Sequence, residues 1–301
     1  MLSRFVSKLK FLSVLVCIAC FCYIAWQSRS LILSVLRNAH LGYLLAAVCV
    51  WSLSHLTAPL GVSMIYRSLG RTVPYRFALG THLGLLPARY LPGGIWHTVG
   101  RGIRYHRYGI DSSLVTVGIF LETAFDLGMA FILGGGCIWA LRGTGGWLGL
   151  SAAVLLWMSL AGLAVTPMLI PLAVGQARYK VSLPRYLEAL GAYAMFSCIG
   201  PAAFILYLLS LRVITADVSL LEIAGAYLYS WGLGVLAFFA PQGIGVFEVV
   251  AGALLAPPSA LGSVAVLIAG FRLIRLLSDA AGWGVSWCFK PREDGQIGEE
   301  G

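Results

Sequence analysis

The sequence predicts an all-α protein, a polytopic transmembrane helical bundle with about seven spanning helices and two re-entrant or broken helices. Composition is the first reason. Hydrophobic residues make up 59% of the 301-residue chain, charged residues only 11%, and the mean hydropathy is +0.86. A soluble domain carries about 25% charged residues, so this much apolar sequence indicates that lipid is the solvent. The lengths of the apolar segments and two proline- and glycine-rich interruptions are the other reasons.

Seven apolar segments approach the ~20 residues that a helix needs to cross the hydrocarbon layer. Their ranges are 9–26, 41–63, 113–139, 147–174, 189–211, 219–239 and 261–287. No small-residue cleavage site ends the first segment and further segments follow it, so it is predicted to be an anchor with a cytoplasmic N-terminus, not a signal peptide. We expect one transmembrane domain over residues 1–290 and a disordered polar tail over residues 291–301.

Two further apolar stretches, 77–99 and 241–258, are interrupted by proline and glycine. If 77–99 enters and leaves on one side, the predicted cytoplasmic segments contain twelve Lys and Arg residues and the external segments contain four. If it crosses, each side contains eight. Because Lys and Arg are concentrated in cytoplasmic loops, the count favours the re-entrant arrangement. It decides neither the course of 241–258 nor the side of the C-terminus.

Both interrupted stretches contain the pattern P-x-G-I, as PGGI at 92–95 and PQGI at 241–244. Proline removes a backbone donor and glycine permits backbone angles that other residues avoid, so both motifs predict a helix break. The break residues are Pro92, Gly93, Gly94, Pro241, Gly243 and Gly245. A helix that starts after such a break points its positive end into a protein-lined cavity, which suits an anion. The alternative is a simple loop or kink, and the two motifs are also candidates for an internal repeat.

Charged residues within the apolar segments form a second group of candidates. In the last segment Arg272, Arg275 and Asp279 share one helix face, while Glu248 lies one turn after Gly245. A carboxylate at mid-depth costs about 3 kcal/mol, so it needs a partner. We expect Asp279 to pair with Arg275, which leaves Arg272 for Glu248 or for a ligand phosphate. The alternative is a salt-bridge network that only stabilises the bundle.

Glu122 and Asp126 lie four residues apart in an apolar segment, so both must face the protein interior. They are candidates for carrying a proton or holding a cation, and the alternative is structural pairing with a basic side chain. The basic candidates are His82, Arg89, His97 and Arg101. Two carboxylates without a third ligand are weak evidence for a metal, so neither a metal nor a cofactor is expected. His55 is predicted to be a packing residue within its span.

The net charge of +9 comes from basic residues in short loops between apolar segments, which is typical of cytoplasmic loops. The sequence contains no basic domain interleaved with aromatic residues, so nucleic-acid binding is not expected. No G-x-x-x-x-G-K-[ST] motif is present, so nothing in the sequence indicates use of ATP.

The segments YLPGGIWHTVGRGIRYHRYGI and PQGIGVFE, with an arginine-bearing final span, resemble the flippase-like integral membrane family, which is the transmembrane region of lysylphosphatidylglycerol synthases. The matching positions are Pro92, Gly93, Trp96, Gly100, Arg101, Gly109, Pro241, Gly243, Gly245, Glu248 and Arg272. The resemblance covers about residues 10–288 and implies lipid translocation between leaflets. A stand-alone member without the soluble synthase domain is expected, and hence no aminoacyl transfer. Gln242 and Phe247 depart from the family's Gly and Arg, and Arg272 and Arg275 are the expected substitutes for that arginine.

The leading hypothesis is a lipid flippase or transporter in the cell (inner or plasma) membrane, not an enzyme. Its substrate would be an anionic phospholipid or a polyprenyl-phosphate-linked glycan lipid. The substrate-binding candidates are Glu248, Arg272, Arg275, Arg101, Trp96, His97 and Arg89, and the proton-coupling candidates are Glu122, Asp126 and Asp279. The alternatives are a membrane enzyme acting on a lipid phosphate and a non-catalytic scaffold subunit of an envelope-assembly complex. Envelope-glycan or lipid-modifying enzymes are the candidate protein partners, and the oligomeric state is left open.

Overall fold

The computed structural model describes residues 29–91, 96–173, 181–212, 218–237, 243, 245–255 and 261–288, and these residues form helices and no strand. The α-helices are α1 Arg29–Asn38, α2 Leu41–Ser52, α3 Ser54–Ser68, α4 Tyr75–Gly84, α5 Trp96–Arg107, α6 Ser112–Met129, α7 Gly136–Arg142, α8 Gly146–Ala173, α9 Leu183–Phe196, α10 Ile199–Ser210, α11 Leu220–Leu236, α12 Val246–Leu255 and α13 Leu261–Ser286. A 3₁₀ segment covers Leu86–Tyr90 and a π-helical segment Ala130–Gly135. The predicted anchor at 9–26, the tail at 291–301, and Pro92, Gly93, Gly94 and Pro241 lie outside the described residues.

Four helical spans among the described residues are long and apolar enough to cross a bilayer. They are Leu41–Ser68, Ser112–Arg142, Gly146–Pro171 and Leu183–Ser210. The helices α11 and α12 are apolar but shorter. An all-helical bundle of a membrane protein is therefore confirmed, whereas the predicted count of seven spans is not.

The outward side of α8 supports the same setting. Its exposed side chains include Trp157, Met158 and Met168, which are 60%, 64% and 73% exposed. In water, large apolar side chains clustered on one helix surface would be a liability, whereas in a bilayer they meet acyl chains. The buried side of α8 packs on α6 and on the π-helical segment.

The first and last of the four spans form an antiparallel pair. Each has 28 residues and an interruption near its middle, at Leu53 in one and at Ser197 in the other. The helix α2 packs on α10 and α3 packs on α9. Backbone hydrogen bonds join both ends of the pair, from the Ser182 N–H to the Ser68 carbonyl (3.0 Å) and from the His40 N–H to the Ser210 carbonyl (2.8 Å). We call the Ser68 end of the bundle face A and the His40 end face B.

After the first span the chain enters the bundle from face A and returns to it. The helix α4 runs from face A into the bundle, the 3₁₀ segment follows it, and α5 runs back toward face A. The ring of Phe77 at the start of α4 stacks on that of Tyr108, just after α5, with centroids 4.1 Å apart. Val73 and Ile110 also share one buried cluster with Tyr186, which lies next to the Ser182–Ser68 contact. The described residues of this stretch, 77–91 and 96–99, therefore lie on an excursion from face A, and the return is completed at Tyr108, beyond the predicted end at residue 99.

The chain makes a second such excursion after the last span, and this one starts from face B. Glu222 at the start of α11 and Leu254 at the end of α12 are brought together by Arg142, which donates to the Glu222 carboxylate (3.1 Å) and to the Leu254 carbonyl. This excursion starts at face B. Val218, just before α11, packs against the same buried cluster as Leu44 and Leu211, which lie near the His40 end of the bundle. The described part of 241–258, residues 243 and 245–255, therefore leads back toward the end of the bundle from which α11 starts.

Each excursion is followed by a long helix that crosses the bundle. From face A, α6 continues through the π-helical segment into α7. In the π-helical segment Gly134 lies against the backbone of α11, so closely that a Cβ at this position would be 2.6 Å from the Tyr229 nitrogen. From face B, α13 runs parallel to α2 and α3, since Phe271 contacts Trp51 and Asp279 contacts His55. The order of elements is the same in residues 41–142 and 183–286, but the second set runs in the opposite direction.

Candidate functional site

The helix that follows the first break places an arginine in the interior. Arg101 lies on α5, is 8% exposed, and its Nη1 lies 2.6 Å from the Glu122 Oε1 on α6. The tyrosines Tyr66, Tyr105 and Tyr193 lie close enough to interact with the Arg101 charge. Structural pairing of Glu122 with Arg101, which the sequence left as an alternative, is therefore present.

The helix that follows the second break places a glutamate in the interior. Glu248 lies in the first turn of α12 and is 7% exposed. Its Oε2 accepts a hydrogen bond from the Gly245 N–H (2.7 Å), and its Oε1 accepts one from the Arg272 Nε on α13 (2.7 Å). The predicted pair of Glu248 and Arg272 is present, and the helix N-terminus adds a favourable backbone donor to it.

The backbone conformation explains why glycine occupies two positions of the second break. Gly243 has a φ of +66°, and a Cβ at that position would lie 2.7 Å from the Gly234 Cα on α11. Gly245 has a φ of +86°. Only glycine adopts such angles at little cost, and only glycine permits the close backbone approach at Gly243. These two residues let the chain turn from α11 into α12 so that Glu248 points inward.

The two ion pairs occupy equivalent places with reversed charge. In each case a short helix that follows a P-x-G-I motif in the sequence supplies one member, and the long crossing helix that comes next supplies the other. The short helix gives the cation in the first pair, Arg101 with Glu122, and the anion in the second, Glu248 with Arg272.

Asp279 forms a third charged group, but its partners are not the predicted one. Its Oδ1 lies 3.2 Å from His55 Nε2, and its Oδ2 accepts a hydrogen bond from the Tyr90 hydroxyl (2.9 Å) and lies 3.8 Å from Arg89 Nη1. The predicted pairing of Asp279 with Arg275 is wrong because three groups on α3 and the 3₁₀ segment approach the carboxylate first. His55, predicted to be a packing residue, is a hydrogen-bonded member of this group.

Arg275 lies one turn from Asp279 and makes no hydrogen bond or ion pair with another described residue. Its guanidinium sits over the ring of Trp51, 5.1 Å from the ring centroid. The Trp51 indole Nε1 is buried and has no hydrogen-bond partner within the described part of the chain. The donors of these two adjacent side chains thus have no acceptor among the residues that the structure describes.

Asp126 lies one helical turn after Glu122 and is partly buried. Among the described residues it makes no hydrogen bond or ion pair, although its charge interacts with those of Glu122, Arg101 and Arg89. Arg89 in turn interacts with Asp279, Arg275 and Arg101. Arg272 lies one helical turn before Arg275, and the charges of both interact with Tyr227, which joins the Glu248–Arg272 pair to this neighbourhood. We call the whole group the charge belt. Its members are Arg89, Arg101, Glu122, Asp126, Glu248, Arg272, Arg275 and Asp279.

The charge belt lies near mid-depth of the bundle. Asp279 contacts His55, which follows the interruption at Leu53 in the middle of the first span. Four arginines and four carboxylates make the belt neutral when all are ionised. Because a buried ion costs several kcal/mol without a partner, this balance explains how an apolar bundle accommodates the group.

The remaining predicted site residues lie at the edge of the belt. His97 is 9% exposed and its ring lies edge-on to that of His82, with centroids 5.8 Å apart. Trp96 is 46% exposed and lies on the surface of the bundle. No group of three or more His, Cys, Asp or Glu side chains in the described ranges could hold a metal ion.

Several belt-lining residues escaped prediction. Tyr90, Ser278 and Trp51 are ordinary in sequence, and their proximity to Asp279 and Arg275 depends on how the first excursion packs against α13. His55 carried a usable signal, because a histidine within an apolar span is a functional candidate by default. Searches against known protein families and characterised proteins found no match to this chain. The resemblance to the transmembrane region of lysylphosphatidylglycerol synthases stays a prediction.

Proposed function

We propose that the protein is a lipid flippase that passes an anionic headgroup through the charge belt while the lipid tails stay in the bilayer. One observation carries the proposal. Two broken helices enter the bundle from opposite faces and each delivers a buried charge to the same belt at mid-depth. Transporters that work by alternating access are often built from such paired, oppositely directed broken helices, with the substrate site where they meet.

The opposed order of elements supports an inverted internal repeat as the basis of this arrangement. Residues 41–142 and 183–286 each contain an interrupted span, an excursion with a P-x-G-I break, and a crossing helix. Pro59 follows Leu41 by the same number of residues as Pro201 follows Leu183. A repeat of this kind gives two similar conformations that open to opposite faces, which is what alternating access requires.

The nature of the substrate follows from the donors that the belt leaves available. Arg275 and Trp51 offer N–H groups without an acceptor among the described residues. A planar guanidinium binds phosphate oxygens well, and an indole N–H is a donor only. A phosphate-bearing headgroup, as in an anionic phospholipid or a polyprenyl-phosphate-linked glycan, supplies the missing acceptors.

The scaffold alternative is favoured by a different observation, the neutrality of the belt. Three of the four carboxylates already have cationic partners, so the belt also makes sense as a network that fixes helix packing. The flippase and the scaffold differ in the expected effect of replacing both members of an ion pair. A structural network tolerates removal of both members of a pair, whereas a transport site does not.

The test is a leaflet-resolved assay in liposomes with fluorescent phosphatidylglycerol, fluorescent phosphatidylcholine and a fluorescent polyprenyl-phosphate sugar. We expect the wild type to flip one of the two anionic probes in preference to phosphatidylcholine. Glu248→Gln and Arg272→Gln should each lower the rate at least about tenfold, because each breaks the ion pair between Glu248 and Arg272. Glu188→Gln, at an exposed position on α9, is the matched control.

Two results would contradict the proposal. The first is folded wild-type protein that flips none of the probes, which would favour the enzyme and scaffold alternatives. The second is a double variant, Glu248→Gln with Arg272→Gln, that flips at the wild-type rate, which would keep a flippase but exclude the charge belt as its site.

A further inference from the structure

We propose that His55, His82 and Asp279 form a proton-binding site and that the protein moves a proton together with each lipid. The inference rests on the proposed function for its transport half, whereas proton binding itself can be observed without any lipid. The proposed site lies where α3, α4 and α13 meet, and its Asp279 is one helical turn after Arg275.

Three histidines lie in a row in the bundle interior. His55 Nδ1 is 3.3 Å from His82 Nε2, and the ring of His82 neighbours that of His97. They are 3%, 4% and 9% exposed. The Nε2 atom of His97 is buried and has no hydrogen-bond partner within the described residues. A buried polar atom of this kind is expected to meet water or an ion, so His97 marks an entry to the row.

The other end of the row is the carboxylate of Asp279, which is 6% exposed. His55 Nε2 lies 3.1 Å from the Ser278 hydroxyl and 3.2 Å from Asp279 Oδ1. In this geometry the hydrogen bond runs to Ser278, and Oδ1 accepts none from any described residue. An ionised carboxylate with an open acceptor beside an imidazole is a place where an added proton gains an interaction.

The hydrogen bond between His55 and His82 can form in two states that differ by one proton. In the first, neutral His55 carries its proton on Nε2, so its Nδ1 accepts the proton that neutral His82 carries on Nε2. In the second, a proton has arrived at His82 Nδ1, His82 has passed its Nε2 proton to His55 Nδ1, and His55 is a cation beside Asp279. His82 is neutral in both states and has only changed tautomer, so the His55–His82 hydrogen bond is kept.

The surrounding charges couple this site to an anionic substrate. Arg89, Arg101 and His97 face His82, and Arg89, Arg275 and Tyr90 face Asp279. The three arginines oppose an added positive charge on the histidine row. A headgroup phosphate bound at Arg275 offsets them, so the proton and the anion favour each other's binding.

The transport test uses proteoliposomes in which the membrane potential is clamped with potassium and valinomycin and a pH gradient is imposed. If one proton accompanies each lipid, one unit of pH gradient shifts the steady-state leaflet ratio of the flipped probe about tenfold. His55→Gln and His82→Gln should each remove this dependence, since an amide forms similar hydrogen bonds but takes up no proton. His40→Gln, at an exposed histidine, is the matched control.

A second measurement detects the proton directly. The chain has five histidines, so ¹⁵N-histidine labelling gives few imidazole signals, which the His→Gln variants assign. The state that has taken up the proton should appear as a cationic His55 signal together with the second tautomer of His82.

Each outcome bears on one claim. A wild type that flips lipid with a leaflet ratio insensitive to the pH gradient overturns the co-transport of a proton and leaves the flippase intact. A wild type that flips no lipid but shows the His55 and His82 transitions supports the proton site and contradicts the proposed function. Signals of His55 and His82 that stay unchanged when the sample is acidified overturn the site.

Discussion

The residues of the charge belt differ in how many hydrogen-bond and ion-pair partners each of them has. Glu248 has a guanidinium and a backbone donor, and Glu122 has one guanidinium. Asp126 has neither a hydrogen bond nor an ion pair among the described residues. Since an unpaired charge at mid-depth costs about 3 kcal/mol, the well-paired members stabilise the bundle and the others are the ones to examine for function.

The reversed polarity of the two ion pairs leads to a prediction. In Arg101→Glu the two buried carboxylates repel each other, and we expect the free energy of unfolding to fall by about 3 kcal/mol. The double variant Arg101→Glu with Glu122→Arg restores the pair and should recover much of that loss, which thermal unfolding in detergent would measure. No recovery in the double variant would mean that this pair is not an independent contact.

The sequence predicted part of this residue-level picture. The Glu248–Arg272 pair could be expected because each residue interrupts an apolar segment and needs a partner. The partners of Asp279 could not, because Arg275 is its neighbour on the helix surface whereas His55 and Tyr90 come from segments more than 180 residues away along the chain. Helical spacing describes one helix only, and the competition between local and distant partners is decided by packing.

At the level of elements, the breaks matter because of where they place the next helix. The turn between α11 and α12 depends on a close contact of the Gly243 and Gly234 backbones. That contact involves main-chain atoms, which cannot move aside as a flexible side chain can. The position of Glu248 therefore depends on the close backbone approach at Gly243, five residues earlier in the chain.

Substitution of the break glycines tests this dependence. Gly243→Ala meets both a positive φ and a backbone clash, so we expect it to destabilise the protein by about 2–4 kcal/mol. Gly245→Ala has the positive φ but no atom within 4 Å of the added Cβ, so a loss of about 1–2 kcal/mol is expected. Gly191→Ala, within α9 and with open space, should be neutral or stabilising. Equal losses at Gly243 and Gly245 would contradict the close approach.

Across the whole molecule, the opposed directions of the two halves determine which ends share a side of the membrane. Charge counting already placed 64–76 and 175–188 together, and the Ser182–Ser68 contact agrees with it. The re-entrant arrangement of 77–99 was predicted for the same reason, although the return to face A is completed beyond it, at Tyr108. The course of 241–258 could not be predicted, because it lacks the flanking Lys and Arg residues that the charge rule reads.

Cysteine accessibility in a variant without the seven native cysteines tests this topology. Arg71→Cys and Arg185→Cys lie at face A and Arg37→Cys lies near face B, and all three positions are exposed. We expect a membrane-impermeant maleimide to label the first two from one side and the third from the other. Trp287→Cys, after α13, should behave like Arg71→Cys. Labelling of Arg71→Cys and Arg185→Cys from opposite sides would contradict the antiparallel pairing of the two spans.

The most direct test of the central claim, that the charge belt binds a lipid headgroup, is Arg275→Gln compared with Arg71→Gln. Because Arg275 has no ion pair among the described residues, its loss should change the free energy of unfolding by no more than about 1 kcal/mol, the strength of its contact with Trp51. We predict that flipping of the anionic probe falls at least about tenfold in Arg275→Gln and is unchanged in Arg71→Gln. Wild-type flipping by stable Arg275→Gln protein would contradict the account.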